Sequence, residues 1–456
     1  MFALETSPIH DTEVDNLLPS SPRSIRDSGL PQQLLVELVA KVLYTSGKSH
    51  LPVLTTRLHL SINVLREVLD FMVAEQLAEV AWRGASEIDV QYQLTGAGKQ
   101  RAAAWLERCP YAGPAPVTLE AYRAMVERQA AHMPLPCAEE LAAEFADDLL
   151  PPATQRVLGA AMYSGRSMLL HGPSGSGKST LARRLGGLLQ GLVAVPYALV
   201  VGQDVVQVYD PSVHQPPSPR QARTLPAPTE RRSSDARWVL CQRPVVVLDA
   251  DLDAEMLDLQ ADAASGCYRA PPQMKANNGL LIVDDLGRQR MPAAEVLNRF
   301  VLAHELQRSR LSIAALAAQA PGYHFSVPCR MRLVFATSLE PSALLDAMAL
   351  RRLGYKIQVG ALSAASYRTL FRQQCLSMGV LYDEAALRYL LDELHAGSAL
   401  PLLACYPREI IGRVADFAGF MGEPARISIA ALDQAWTSMF ACAPGANEDD
   451  LSPRIA

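Results

Sequence analysis

The chain has 456 residues, 49% hydrophobic and 20% charged, with 42 Lys and Arg against 47 Asp and Glu for a formal charge of −5. This much apolar material excludes a chain disordered throughout. The negative balance excludes nucleic-acid binding through bulk positive charge and leaves room only for a local basic patch. No apolar run approaches the roughly 18 residues that span a bilayer, and the acidic start MFALETSPIHDTEVDNLLPSSPRS lacks the basic-then-apolar order of a secretion signal. The eight cysteines are scattered with no C-x-x-C pair. Reduced thiols in a cytoplasmic protein are therefore expected, not a zinc site or a disulfide framework.

Residues 1–29, rich in Ser, Pro and Asp, are expected to form a flexible tail. From Pro31 the spacing of Leu34, Leu35, Leu38, Val39, Val42 and Leu43 predicts a helix. A short helix follows over Leu51–Leu58, and a third after the N-cap candidate Ser61, carrying Val64, Leu65, Val68, Leu69 and Met72. Two alternating stretches, Leu77–Trp82 and Ile88–Leu94, flank the turn-rich Arg83-Gly84-Ala85-Ser86, and a last helix starts near Thr95-Gly96-Ala97-Gly98-Lys99. Three helices followed by a hairpin resemble a winged helix-turn-helix domain, here over residues 30–108, with the segment from Tyr92 to Ala102 similar to the end of its wing. Many such folds read DNA through the third helix. Residues 31–108, however, hold eight basic and eight acidic side chains, and the third helix carries Glu67, Asp70 and Glu75 against Arg66 alone. Docking to a protein is the first expectation and direct DNA contact the second.

Residues 109–150 read as a connector, turn-dense from Cys109 to Pro116, with helical patterns near 118–131 and 137–150. Over 151–360, short apolar runs alternate with amphipathic helices, the pattern of an α/β fold with a parallel sheet. Residues 361–442 read as an all-helical domain, and 443–456 as a second flexible tail. Within the α/β part, the Pro-rich Tyr209–Arg232 reads as an exposed insertion, and Val245–Leu248 with Met256–Leu259 as a hairpin beside it. Asp210 and His214 in that insertion are not expected to hold a metal.

The strongest chemical signal is Gly172-Pro173-Ser174-Gly175-Ser176-Gly177-Lys178-Ser179-Thr180, which fits G-x-x-x-x-G-K-[ST] without departure. A short apolar strand, Ser167–Leu170, precedes it and an amphipathic helix, Thr180–Leu189, follows. Glycines let backbone amides wrap an anion without a Cβ clash, and the helix start adds its positive end. Lys178 then neutralises β- and γ-phosphates and the Ser179 hydroxyl ligates Mg²⁺. The second signal is Gly279-Leu280-Leu281-Ile282-Val283-Asp284-Asp285, a buried strand delivering two carboxylates at its C-terminal end. That is the edge where ligands sit in open α/β sheets. Asp284 is expected to hold the Mg²⁺ shell and Asp285 to polarise the attacking water. Asp251 and Asp253, after the run Val245–Leu248, are weaker metal candidates.

In this order the motifs resemble the AAA+ ATPase family from Pro151 to Phe440: P-loop, acidic strand, then the strand Arg332–Ala336 ending in Thr337-Ser338, Leu350-Arg351-Arg352-Leu353, and Cys405-Tyr406-Pro407-Arg408-Glu409-Ile410. The resemblance implies a P-loop AAA+ parallel-sheet core with a C-terminal helical lid. It places Thr337 and Ser338 at the sensor-one position, with Ser338 sensing γ-phosphate. Arg352, with Arg351 beside it, becomes the arginine finger acting on a neighbouring subunit, and Arg408 the sensor-two contact from the lid. Two departures stand out: Asp285 where most members have Glu, and Ser338 where most have Asn. Slow turnover follows from the shorter side chains. The 105 residues between Lys178 and Asp284 exceed the minimal core. The stretch Tyr268–Gly279 resembles the Ala-x-Gly-Gly run of enhancer-binding activators and magnesium chelatases, whose extra hairpin touches substrate. A substrate-touching hairpin and a passive surface insertion are both open for it here.

These readings together imply a cytoplasmic ATPase using ATP and Mg²⁺ to remodel a protein partner as a ring, most simply a hexamer. Two alternatives are a DNA-associated regulator or loader gripping DNA through the winged helix, and an ATP-gated scaffold with little hydrolysis.

Overall fold

The computed structural model describes residues 17–86, 88–146, 149–219, 221, 234–313 and 324–440. The tail expected over 443–456, the first 16 residues, and most of 220–233 in the Pro-rich insertion lie outside the described residues. The central sheet has five strands in the spatial order Val245–Leu248, Leu280–Val283, Arg332–Thr337, Met168–His171, Tyr355–Gln358. The strand Met168–His171 pairs parallel with Arg332–Thr337 on one side and with Tyr355–Gln358 on the other. All four residues of Leu280–Val283 are buried, as a parallel strand covered on both faces requires. Chain contacts divide the molecule into two units, residues 1–135, 189–282 and 289–333 in one, and 136–188, 283–288 and 334–456 in the other.

In the first unit the helices Gln32–Ser46, Leu51–Leu58 and Ile62–Ala74 lie where their apolar spacing predicts. Ser61 caps the third, its side chain accepting the Val64 amide at 3.4 Å. Ala78–Arg83 and Val90–Leu94 pair antiparallel, with Ser49–His50 on the other edge of Val90–Leu94. Thr95 caps the helix Gly96–Arg108 through the Gly98 amide at 3.0 Å. A Cβ at Gly98 would stand 1.9 Å from the Leu77 carbonyl oxygen, so the glycine permits the helix start to lie against the hairpin.

Residues 17–29 correct the tail expectation. Ser24 caps the short helix Ile25–Ser28, Gly29 ends it in the left-handed conformation at φ 72°, and Ile25 and Leu30 are buried. The Ile25 amide donates to Glu67 Oε2 at 2.8 Å and Ser61 Oγ donates to the Pro22 carbonyl at 2.6 Å. Two isolated apolar residues give no period to read, yet each fills a place in a core that other helices build.

One hydrophobic cluster runs from Ile25 to Ala115 and continues through Ala198, Val205 and Cys267. Paired strands flank the expected insertion Tyr209–Arg232 on both sides. Ala198–Val201 and Asp204–Gln207 form an antiparallel pair, Cys267–Arg269 joins Asp204–Gln207 in parallel, and Leu192–Pro196 pairs with Trp238–Gln242. Met256–Leu259 does not pair with Val245–Leu248. Glu255–Leu257 is a 3₁₀ turn, and the hairpin forms further on, between Gln260–Asp262 and Cys267–Arg269, where Gly266 supplies the positive φ of 64°. His214 is buried, its Nδ1 accepting the Asp210 amide at 2.9 Å and its Nε2 lying 3.1 Å from the Lys275 carbonyl, while Asp210 pairs with Lys275 at 2.8 Å. These groups satisfy one another.

The second unit holds the helix Pro152–Ser164, the strand Met168–His171, the helix Lys178–Arg184 and its 3₁₀ continuation Leu185–Leu188. Its C-terminal part is helical, as expected: Ala364–Met378, Glu384–Tyr389 running into a π turn Leu390–His395, Tyr406–Met421 and Ile429–Phe440. These pack round Tyr367, Phe371, Leu390, Ile410, Ile411 and Trp436.

Candidate functional site

The candidate site lies within the second unit. The strand Met168–His171 ends at Gly172, and the chain turns through Gly172, Gly175 and Gly177 at φ of 145°, 81° and 96° before entering the helix at Lys178. Side chains are strained at such angles, which explains the three glycines. Two are also packed too closely for a Cβ, which would stand 2.2 Å from the Val359 carbonyl oxygen at Gly172 and 2.4 Å from Cys405 Sγ at Gly175. The Cys405 amide donates to the Gly175 carbonyl at 3.0 Å, so the residue preceding the helix Tyr406–Met421 rests directly on the loop.

Lys178 is buried, and its ammonium donates to the Gly172 and Pro173 carbonyls at 3.0 and 2.8 Å. Desolvation holds its pKa below the ordinary lysine range, with Asp285 and Asp284 pulling the other way and Arg288 adding to the depression. Ser176 Oγ, within the same loop, is buried without a hydrogen-bond partner among the described residues.

Across the loop, Ser179 Oγ donates to Asp284 Oδ1 at 2.8 Å, although 105 positions separate them. The same carboxylate oxygen accepts the Asp285 amide at 3.1 Å, and Arg183 Nη2 stands 3.9 Å from Asp284 Oδ2. Asp284 is buried, whereas Asp285 is half-buried and held at φ 48°. That left-handed conformation is one Asp and Asn adopt more readily than longer side chains, which gives a local reason for Asp where Glu was the expected type.

The strand Arg332–Thr337 separates the two residues expected at its tip. Thr337 is fully buried, its Oγ1 donating to the Leu286 carbonyl at 2.7 Å and accepting the Leu339 amide at 3.1 Å. The Leu286 amide returns a bond to the Ala336 carbonyl at 2.7 Å. Thr337 thus fastens the turn after the two aspartates, and Ser338, half-buried, is left as the polar group at the tip.

Arg351 and Arg352 are both exposed at the end of the helix Ala347–Arg352, which buries none of its residues and is capped by Asp346. Arg408 is exposed in the first turn of Tyr406–Met421. Among the described residues no hydrogen bond or ion pair draws these three into the cluster around Lys178. Sequence reasoning gave no role to Arg183, Arg288 or Cys405. Arg183 was within reach of it, since it follows Ser179 by four residues on one helix and so shares its face. Asp253 caps the Met256 amide at 3.0 Å, and among the described residues no group of His, Cys, Asp or Glu is arranged to hold a metal by itself.

A domain of unknown function (DUF8689) matches residues 363–438, within the C-terminal helices. No curated protein matches the chain. Among solved structures, the chain is distantly similar to the Holliday junction branch migration motor RuvB of Thermotoga maritima, with 15% identity, 72% of this chain and 73% of that one covered, and a TM-score of 0.33. It is likewise similar to NtrX of Brucella abortus, solved in complex with ATP, with 15% identity, 70% and 63% covered, and a TM-score of 0.39. Among the described residues no helix is long and apolar enough to cross a membrane.

Proposed function

We propose that the chain is a Mg²⁺-dependent ATPase of the AAA+ type. The observation that carries this reading is the 2.8 Å bond between Ser179 Oγ and Asp284 Oδ1 beside the desolvated Lys178. A hydroxyl and a carboxylate in contact are the oxygen pair that a hard divalent cation takes together with phosphate oxygens. The glycine cradle and the orphaned Ser176 hydroxyl fit a bound triphosphate on the same grounds. Bound Mg²⁺ would neutralise developing charge on the transferred phosphoryl group.

In this reading the amides and Ser176 of Gly172–Thr180 hold the phosphates, with Pro173 and Ser174 setting the bend. Lys178 exchanges its two loop carbonyls for phosphate oxygens, and Asp285 takes the proton side of the attacking water. Ser338 orients that water and Arg408 reports nucleotide to the lid. Arg352, with Arg351, reaches the γ-phosphate of an adjacent subunit, which makes a ring, most simply a hexamer, the working form. The output is remodelling of a protein partner, and the region 30–108, as a winged helix, is its dock. The exposed, unburied helix carrying Arg351 and Arg352 supports a role outside its own subunit. The ATP-gated scaffold reading draws support from Asp285 at φ 48° and from the Thr337 hydroxyl being used within the fold.

Phosphate release from the full chain with ATP and Mg²⁺ tests this. Wild type should turn over, Lys178→Ala should fall to background, and Asp285→Asn should bind ATP yet hydrolyse it at least ~100-fold more slowly. Arg352→Ala and Asp285→Ala should each be inactive and should regain turnover when mixed, since each supplies what the other lacks. Wild-type release no faster than Lys178→Ala refutes the enzyme and leaves the scaffold; no recovery on mixing refutes the finger acting in trans.

A further inference from the structure

We propose that the trough beside the strand Arg308–Leu311, in the first unit, binds the phosphodiester backbone of a nucleic acid. Arg308–Leu311 pairs antiparallel with Phe325–Pro328. Its alternation buries Ser309 and Leu311 and exposes Arg308 and Arg310 on the same face. Two residues along a strand separate those side chains by about 6.6 Å, a step that successive phosphates of one nucleic-acid strand can follow.

The trough has a volume of about 760 Å³ and is lined by Arg308, Arg310, Arg330 and His324, with Glu127 as its one carboxylate. Glu127 is already engaged. Its Oε2 accepts Arg330 Nε at 2.8 Å and Nη2 at 2.5 Å, which aims the guanidinium without cancelling the strand arginines. Arg123, outside the lining, donates from Nε and Nη2 to the Ser326 carbonyl at 2.9 and 2.6 Å and stands 3.9 Å from Glu120, so it adds no net charge to the trough. Among the described residues neither Arg308 nor Arg310 forms an ion pair, and residues 314–323 contain no Asp or Glu.

Two arginines on one short strand with no acidic partner among the described residues, in a chain of net charge −5, are not a by-product of composition. Every fixed cation here is arginine, whose planar fork grips phosphate oxygens in pairs. Leu306, 64% exposed on the wall, offers apolar surface to a sugar or base. The charge balance of residues 31–108 placed no basic footprint on the third helix; the footprint lies here instead.

The test is fluorescence anisotropy of the full chain with a labelled single strand of about 20 nucleotides and with its duplex, without ATP, between about 50 and 200 mM salt. Binding should be saturable, and the single strand and the duplex, whichever binds tighter, tell which form supplies the phosphates. The pair Arg308→Ala with Arg310→Ala should weaken it at least ~10-fold and lower the salt slope by about 0.7–0.9 for each phosphate left without its arginine. Arg308→Lys with Arg310→Lys should keep the slope, since the charge remains. Lys178→Ala should bind like wild type, which separates this site from the P-loop. No saturable binding at the low salt, an alanine pair indistinguishable from wild type, or displacement by polyglutamate as efficient per charge as by unlabelled oligonucleotide would each overturn the proposal. Since no ATP is present, such a failure leaves the ATPase reading untouched.

Discussion

Gly175→Ala and Gly177→Ala are both substitutions in the P-loop at positive φ, yet the structure separates their effects. At Gly177, φ is 96° and a Cβ would meet only Ala404 Cβ at 3.8 Å, an ordinary contact. The cost there is backbone strain alone, about 1–2 kcal/mol. At Gly175, φ is 81° and the Cβ would lie 2.4 Å from Cys405 Sγ and 3.3 Å from Cys405 Cβ. Overpacking of this kind adds about 1–3 kcal/mol to a similar strain. The Cys405 amide also bonds the Gly175 carbonyl at 3.0 Å, which holds the Cys405 backbone and its Cβ against the loop and leaves the thiol only rotation about its own side-chain bond as relief. Cys405→Ala removes the sulfur and should recover that added ~1–3 kcal/mol in the Gly175→Ala background while recovering nothing with Gly177→Ala. Thermal midpoints read the difference at about 2–4 °C per kcal/mol, and nucleotide affinity should follow the same order. Equal destabilisation by the two alanines, or no rescue of Gly175→Ala by Cys405→Ala, would refute the contact between Gly175 and Cys405.

Thr337→Val should cost about 1–3 kcal/mol, because it leaves the Leu286 carbonyl and the Leu339 amide short of a buried partner. Ser338→Ala should leave the urea midpoint unchanged and slow turnover, so stability and phosphate-release measurements on the pair tell fastener from sensor. His395, buried among Tyr367, Tyr406 and Trp436, is pushed by desolvation from the ordinary 6.5 down to about 4. The unfolded chain therefore binds the extra proton over that interval, and stability should fall as pH drops from 6.5 towards about 4. His395→Phe should flatten that part of the urea-midpoint profile, and an unchanged slope would contradict it.

Local chemistry was largely legible in the sequence. Helix starts at Ser61 and Thr95 were readable because a cap is a bond to an amide three residues on. The P-loop was readable because its glycines answer to dihedral angles of their own. The stretch Ala276–Gly279 carried a subtler signal. Asn278 takes φ 60°, a conformation Asn tolerates nearly as well as Gly, while Asn277 bonds Tyr122, Pro328 and Arg330. Less legible were Ile25 and Leu30, whose burial depends on helices elsewhere in the chain, and the strands of residues 198–269, whose core is shared with the helices before them.

By itself, the order of residues determined where helices and turns begin, which glycines the loop needs, and that a strand ends in two carboxylates. Those properties depend on dihedral angles and on neighbours within four or five positions. Only the tertiary structure decided that Ser179 meets Asp284 across 105 positions, that Thr337 rather than Ser338 is spent on the Leu286 carbonyl, and that Arg330 is held by Glu127 from 203 positions away. Such meetings follow from strand order and from which surfaces share a core, and no local period encodes either.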